Sequence, residues 1–239
     1  MNFKKFIFTF SIITMAIAVA VALISKSGKV LETVATPLIQ PVVIIDAGHG
    51  GFDGGAVADD GTEEKELNLN IALKLQEVLE LYGFDTIMTR TSDMALGGGK
   101  DSGTTKQNDL IERVEIMNSQ KDAIVISVHQ NKFEQQSVKG LQVFYNQNTE
   151  GAKALGEAIQ GYVNENLQSE KPRYAKSDTR KVKILEKSTN PTVIVECGFI
   201  SNPVDLENLK NEDYCYTLSF CIANGILNYM QGEENVTED

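Results

Sequence analysis

Histidine is scarce in this 239-residue chain, which has two, alongside three cysteines, five prolines and no tryptophan. The odd cysteine count excludes a complete disulfide framework. Cys215 and Cys221 would lie about 9 Å apart along a helix, too far for a bridge. They and Cys197 read as small buried hydrophobes, with a thiolate ligand the minor reading for Cys197. Basic residues are outnumbered, 22 Lys and Arg against 33 Asp and Glu, for a formal net charge of −11. No basic patch interrupts that balance, which argues against a nucleic-acid partner. Nucleotide fingerprints are also missing. After Gly48 and Gly50 the next required glycine falls on Asp53, and Gly97-Gly98-Gly99-Lys100 runs into Asp101 rather than Ser or Thr.

A long apolar run occurs only at the start. Lys4 and Lys5 precede an uncharged stretch from Phe6 to Ser25, closed by Lys26. Its length approaches the ~20 residues that span a bilayer as a helix. Small residues at Ala16, Ala18, Ala20 and Ala22 also suit signal cleavage. Residues 1–27 are therefore expected to be a signal peptide or a membrane anchor. In either case the body is exported, with membrane contact only through this segment. Residues 28–41, with Pro37 and Pro41, read as a linker, residues 42–230 as one domain, and residues 231–239 as an acidic tail.

Within the domain, short apolar runs alternate with segments of helical periodicity. Strands are expected from about Val42, over Phe84–Thr89, over the run ending at His129, and over Gly140–Tyr145, Lys181–Leu185 and Thr192–Glu196. Helices are expected over Glu64–Tyr82, Lys106–Asn118 and Glu150–Leu167, followed by a helical region to about Met230, with Gly83 as a stop signal for the first. This is an α/β pattern with a largely parallel or mixed sheet.

Both histidines close such strands. His49 ends Val42-Val43-Ile44-Ile45-Asp46-Ala47-Gly48-His49, and His129 ends Asp122-Ala123-Ile124-Val125-Ile126-Ser127-Val128-His129. Functional groups of open α/β sheets gather just beyond the carboxyl ends of strands, and neutral imidazole is a common zinc ligand. Catalytic zinc generally has three protein ligands and an open position. With no further histidine, the third must be a carboxylate or a thiolate: Asp46, Asp53, Glu63, Glu64, Glu66, Glu196 or Cys197. Spacing does not choose among them. Glu64 has in its favour a helix start, whose positive end keeps a carboxylate ionised. Glu196 ends the apolar run Val193-Ile194-Val195 and so reaches the same sheet edge, where a partly desolvated carboxylate suits proton transfer. The competing structural role for Glu196 is pairing with a buried arginine such as Arg90 or Arg113.

The order of several blocks resembles the zinc-dependent N-acetylmuramoyl-L-alanine amidases of type 3. These blocks are Asp46-Ala47-Gly48-His49-Gly50-Gly51-Phe52-Asp53-Gly54-Gly55-Ala56, Glu64-Lys65 with Leu69, Ile71 and Ala72, and Thr89-Arg90 with Asp93. They continue with Leu110 and Arg113 before Asn118, Ser127-Val128-His129-Gln130-Asn131, and Val195-Glu196-Cys197-Gly198-Phe199-Ile200-Ser201-Asn202-Pro203. The resemblance spans about residues 42–230. It implies a single α/β domain with a twisted, mostly parallel (mixed) central sheet and helices on both faces. It also implies one Zn2+ per chain held by His49, Glu64 and His129, with Glu196 as the catalytic carboxylate. Asn131 and Arg90 are the substrate-binding candidates, although Arg90 and Arg113 suit structural ion pairs better. The implied reaction is hydrolysis of the amide between N-acetylmuramic acid and L-alanine in peptidoglycan. The small single-domain form looks most like spore-cortex and germination amidases, which would place it in the forespore envelope. An activating partner protein is also implied, with an envelope lipoprotein as the candidate. The alternatives are a zinc peptidase acting on stem peptides and a non-catalytic wall-binding protein. Only Lys132 to Lys139 separate the His129 block from the next strand, which leaves no room for the inserted autoinhibitory helix of some division amidases.

Overall fold

The apolar runs at 43–47, 124–131 and 192–199 form neighbouring strands of one sheet, and their near-continuous hydrophobicity reflects cover on both faces. The computed structural model describes residues 41–97 and 105–237. The signal or anchor call at 1–27, all of the linker except Pro41, and most of the 97–103 glycine loop lie outside them.

The strands are β1 (Val43–Ala47), β2 (Thr86–Met88), β3 (Ile124–Asn131), β4 (Gln142–Tyr145), β5 (Lys176–Ser177) and β6 (Thr192–Phe199). They form a six-stranded mixed sheet in the order β2-β1-β3-β6-β4-β5. All neighbours are parallel except β4 and β6. The helices are α1 (Glu64–Leu81), α2 (Lys106–Met117), α3 (Ala152–Asn166), α4 (Lys183–Lys187), α5 (Pro203–Lys210) and α6 (Glu212–Thr237).

Alternation along the strands divides the core in two, because successive side chains leave opposite faces. Val43, Ile45 and Ala47 join Ile126, Val128, Val193 and Val195 on one face. There Leu67, Ile71 and Leu75 of α1, Leu155 and Ile159 of α3, and Leu218 and Ile222 of α6 cover them. Ile44, Val125 and Ile194 turn to the other face, against Met117, Leu110 and Val114 of α2 and Ile184 and Leu185 of α4. Helices thus lie on both faces. The α1 stop works as its sequence suggests. Gly83 takes φ +87°, and Phe84 N–H donates back to the Leu79 carbonyl at 3.0 Å.

Three expectations change. Lys181–Leu185 is not a strand, because Lys183–Lys187 forms α4. A short run such as Val182, Ile184 and Leu185 has no period long enough to separate the two; the Asp178 carboxylate accepts the N–H of Val182, the residue before the helix, at 2.9 Å. The edge strand β5 was not anticipated, since two residues carry no readable period. The C-terminal helix does not stop near Met230, and its backbone continues through Thr237 into the acidic tail. No helix interrupts residues 132–141, as the short spacing required. Cys197, Cys215 and Cys221 are free and buried.

Candidate metal centre

His49, Glu64 and His129 reach one point from three different elements. His49 follows β1, Glu64 opens α1, and His129 lies near the end of β3, which runs two residues beyond it. Their ligand atoms all fall within 4.8 Å of one another. Glu64 Oε1 is 3.3 Å from His49 Nε2 and 3.0 Å from His129 Nδ1, and the imidazole rings meet edge-on with centroids 5.0 Å apart. The long chain separation of these groups is closed by the β1–β3 pairing, which sets Ala47 beside Val128.

Glu64 is buried, so a role as a plain surface helix-start residue does not describe it. Its Oε2 accepts the Ala56 N–H at 2.9 Å, and Oε1 accepts the Gln130 N–H at 3.0 Å. Burial works to raise its pKa, but His129 and His49 hold it well below the usual carboxylate range. For His49 burial works to lower the pKa, and Glu64 and Asp53 more than reverse this, leaving it raised. His49 Nδ1 lies 3.0 Å from Asp53 Oδ2, so Nε2 is the nitrogen left for the centre. A carboxylate behind a ligating histidine is the usual way to fix its ring and tautomer. Asp53 is itself tethered by Lys106 at 3.1 Å.

The turn that delivers His49 is strained, with φ +61° at a residue that has a Cβ. Two buried arginines hold it. Arg90 donates to the carbonyls of Ala47 and Gly48, each at 2.9 Å, and Arg113 donates to those of Ala47 and His49. Arg113 also bonds Asp46 Oδ1 at 2.6 Å and Asp109 Oδ2 at 2.7 Å. Arg90 donates further to the Ser92 and Lys65 carbonyls, so four of its five N–H groups serve the scaffold. Buried and engaged in this way, Arg90 supports the His49 turn. Asn131 is half-buried at the last position of β3, where its carbonyl accepts from Ile200 N–H at 2.9 Å.

Of the other carboxylates weighed as a third ligand, Asp46 is buried under Arg113, Thr89 and Ser127, and Glu63 pairs with Lys65. Glu196 is in register with His129 across the β3–β6 pair, so the two side chains leave the same face of the sheet side by side. Its partner is neither Arg90 nor Arg113 but Arg180, whose Nη1 lies 3.1 Å from Oε1. Sequence pattern carried no signal for this contact, because Arg180 sits in an aperiodic segment. Beside the two histidines opens a cleft of about 340 Å³, with Leu110, Val182 and Ile184 as apolar walls and Lys106 and Lys183 at its edge.

The residues fit a cation such as zinc. Two imidazole nitrogens and one carboxylate make a three-ligand set of the kind that leaves a position open. The surroundings also keep the space clear. A Cβ at Gly48 would come within 2.3 Å of the His129 ring, and one at Gly55 within 2.7 Å of Glu64 Oε2 and 2.8 Å of His49.

Known proteins agree with this architecture. The Amidase_3 family, N-acetylmuramoyl-L-alanine amidase, matches residues 43–228. A germination-specific N-acetylmuramoyl-L-alanine amidase of Bacillus subtilis is 33% identical over 201 residues, covering 81% of each chain. The CwlD amidase of Clostridioides difficile, solved in complex with the GerS lipoprotein, superposes with a TM-score of 0.75 at 34% identity, covering 80% of this chain and 99% of that one. A second N-acetylmuramoyl-L-alanine amidase, from Clostridium difficile 630, gives a TM-score of 0.68 at 26% identity, covering 80% and 97%. With a family match over nearly the whole described domain and relatives above 30% identity, this chain belongs to the Amidase_3 family of N-acetylmuramoyl-L-alanine amidases.

Proposed function

We propose that this protein hydrolyses the amide bond between N-acetylmuramic acid and L-alanine in peptidoglycan, with zinc held by His49, Glu64 and His129 and with Glu196 as the proton-transfer group. The observation that carries the reading is the meeting of two imidazoles and a carboxylate within 4.8 Å, at the sheet edge where Glu196 lies in register with His129. When bound, zinc supplies Lewis-acid polarisation of a carbonyl and acidification of a water molecule. Glu196 takes the proton of the attacking water and returns it to the departing L-alanine nitrogen, so that a C–O bond replaces the C–N bond. Asp53 keeps the His49 ring oriented, and Arg90 and Arg113 hold the turn beneath it. Asn131 offers its amide to the substrate.

The germination-specific relative supports the spore cortex as the substrate layer. The lipoprotein bound to the Clostridioides relative supports an activating partner of that kind here. Export through residues 1–27 places the domain in the cell envelope. Among the described residues no helix is long and apolar enough to cross a membrane, so membrane attachment would rest on that segment.

The test is metal content and mass analysis of digested muropeptides for wild type and Glu196→Gln together. Wild type should carry about one zinc per chain and release peptides that begin with intact L-alanine. Glu196→Gln should keep its zinc and lose on the order of 10²–10⁴ in turnover. Cleavage within the stem peptide, or an unimpaired Glu196→Gln, overturns the proposal.

A further inference from the structure

Arg180 is fastened on three sides. Its Nη1 lies 3.1 Å from Glu196 Oε1, its Nε lies 2.9 Å from Asp178 Oδ1, and its guanidinium covers the Phe144 ring at 4.2 Å. The segment that carries it is equally constrained. β5 pairs with β4, and Asp178 N–H continues that ladder to the Tyr145 carbonyl at 3.0 Å. Asp178 then accepts from Val182 N–H at 2.9 Å, and the next residue after Arg180, Lys181, is driven to φ +57°. Phe144 lies opposite Ile194 in the antiparallel β4–β6 pair, and Gln142 lies opposite Glu196, so Phe144 and Glu196 share one face of the sheet. Arg180 therefore crosses from the sheet edge, over β4, to reach the carboxylate in register with His129.

An ion pair with an arginine 44% exposed adds little to folding stability. Three restraints on one guanidinium are more than such a weak tether requires. They do, however, determine orientation. A guanidinium presents its N–H groups as a rigid fork, so fixing two sides of it fixes the direction of the third. Glu196 Oε1 is the atom it meets, while Oε2 has no hydrogen-bond partner among the described residues. Burial works to lower the Arg180 pKa, and the Asp178 and Glu196 carboxylates reverse this, so the group stays cationic throughout the pH range of interest.

We propose that Arg180 is a positioning residue for the reaction: anchored by Asp178 and Phe144, it holds Oε1 of Glu196 and leaves Oε2 to receive the proton of the reacting water. The proposal rests on the amidase reading above. A group that orients another acts on turnover more than on substrate affinity, and groups standing behind the reacting ones are worth on the order of 10–100-fold.

The experiment compares wild type, Arg180→Met and Arg180→Lys in steady-state cleavage of muropeptides, with zinc content and a crystal structure of each. Arg180→Met should keep its zinc, hold KM within about twofold and lower kcat by on the order of 10–100-fold. Its Glu196 side chain should leave the wild-type rotamer. Arg180→Lys should recover only part of kcat, because an ammonium lacks the fork. Dilute guanidinium should restore part of the Arg180→Met rate where equal sodium chloride does not. Unchanged kcat, a raised KM with kcat intact, or a faster variant would overturn the proposal. If wild type itself frees no L-alanine-headed peptide, the amidase reading fails, and the crystal structures still decide this inference: a Glu196 side chain that keeps its place without Arg180 overturns it.

Discussion

Gly48→Ala should separate metal binding from folding in this protein. Gly48 precedes the strained His49, yet its own φ is not positive, so an alanine meets no backbone penalty there. What it meets is the His129 ring: a Cβ would lie 2.3 Å from both Cε1 and Nε2, against the 3.4 Å at which ordinary contact begins. The ring must therefore retreat by roughly 1 Å or change rotamer, at a cost of about 0.5–1.5 kcal/mol if it is pushed off a staggered well. The strand beneath it cannot yield, because β3 is hydrogen-bonded to β1 on one side and β6 on the other. Metal–ligand distances tolerate only about ±0.2 Å, so the site drops from three ligands to two. His49, Glu64 and the core are untouched, and His129 is 20% exposed, which gives the displaced ring an exit. Zinc affinity should fall by at least ~10–100-fold, while metal-free thermal unfolding moves by no more than about 1.5 kcal/mol. Competition against a chromophoric chelator reads the first quantity and circular dichroism the second. Gly161→Ala in α3, where a Cβ meets nothing within 4 Å, is the control: it should leave zinc affinity unchanged and raise stability by at most about 1 kcal/mol. A Gly48→Ala protein that binds zinc as tightly as wild type would refute the assignment of His129 to the centre.

Arg113→Met should cost about 3–5 kcal/mol in urea unfolding, because it strands the buried Asp46 and Asp109 carboxylates and frees the His49 carbonyl; a loss under about 1 kcal/mol would contradict this. Asp46 also sets an acid limit. Burial works to raise its pKa, but Arg113 and Ser127 leave it lowered, so its contribution is complete above about pH 4 and is lost as pH falls through the depressed folded value. Unfolding free energy of the metal-free protein, measured from pH 6 down to 2, should decline below about pH 4, with a shallower decline in Asp46→Asn.

Much of the sheet was legible because its signals are local. The runs before His49 and His129 are apolar apart from Asp46, Asp122 and Ser127, and α1 repeats Leu67, Ile71, Leu75 and Val78 at helical spacing. Legibility failed where a segment was too short to show a period, as at β5 and α4. The site divided in the same way. Two strand-end histidines announced themselves, but seven side chains competed for the third place until the resemblance favoured Glu64. A structural role suited Arg90 from the start, but the backbone carbonyls it binds were invisible in the chain. The pairing of Glu196 with Arg180 was invisible as well, since neither residue's neighbours advertise the other.

By itself the sequence determined the alternation of strands and helices, the apolar strands that end in imidazoles, and the scarcity of other ligands, since each depends on spacing along a few consecutive residues. Tertiary structure decided which carboxylate joins the histidines, which arginines support the His49 turn, and which one grips Glu196. Glu64 and His129 are 65 residues apart, and only the packing of α1 against the β1–β3 pair brings them to 3.0 Å. Contacts of that range depend on how whole elements stack, and local periodicity carries no information about that.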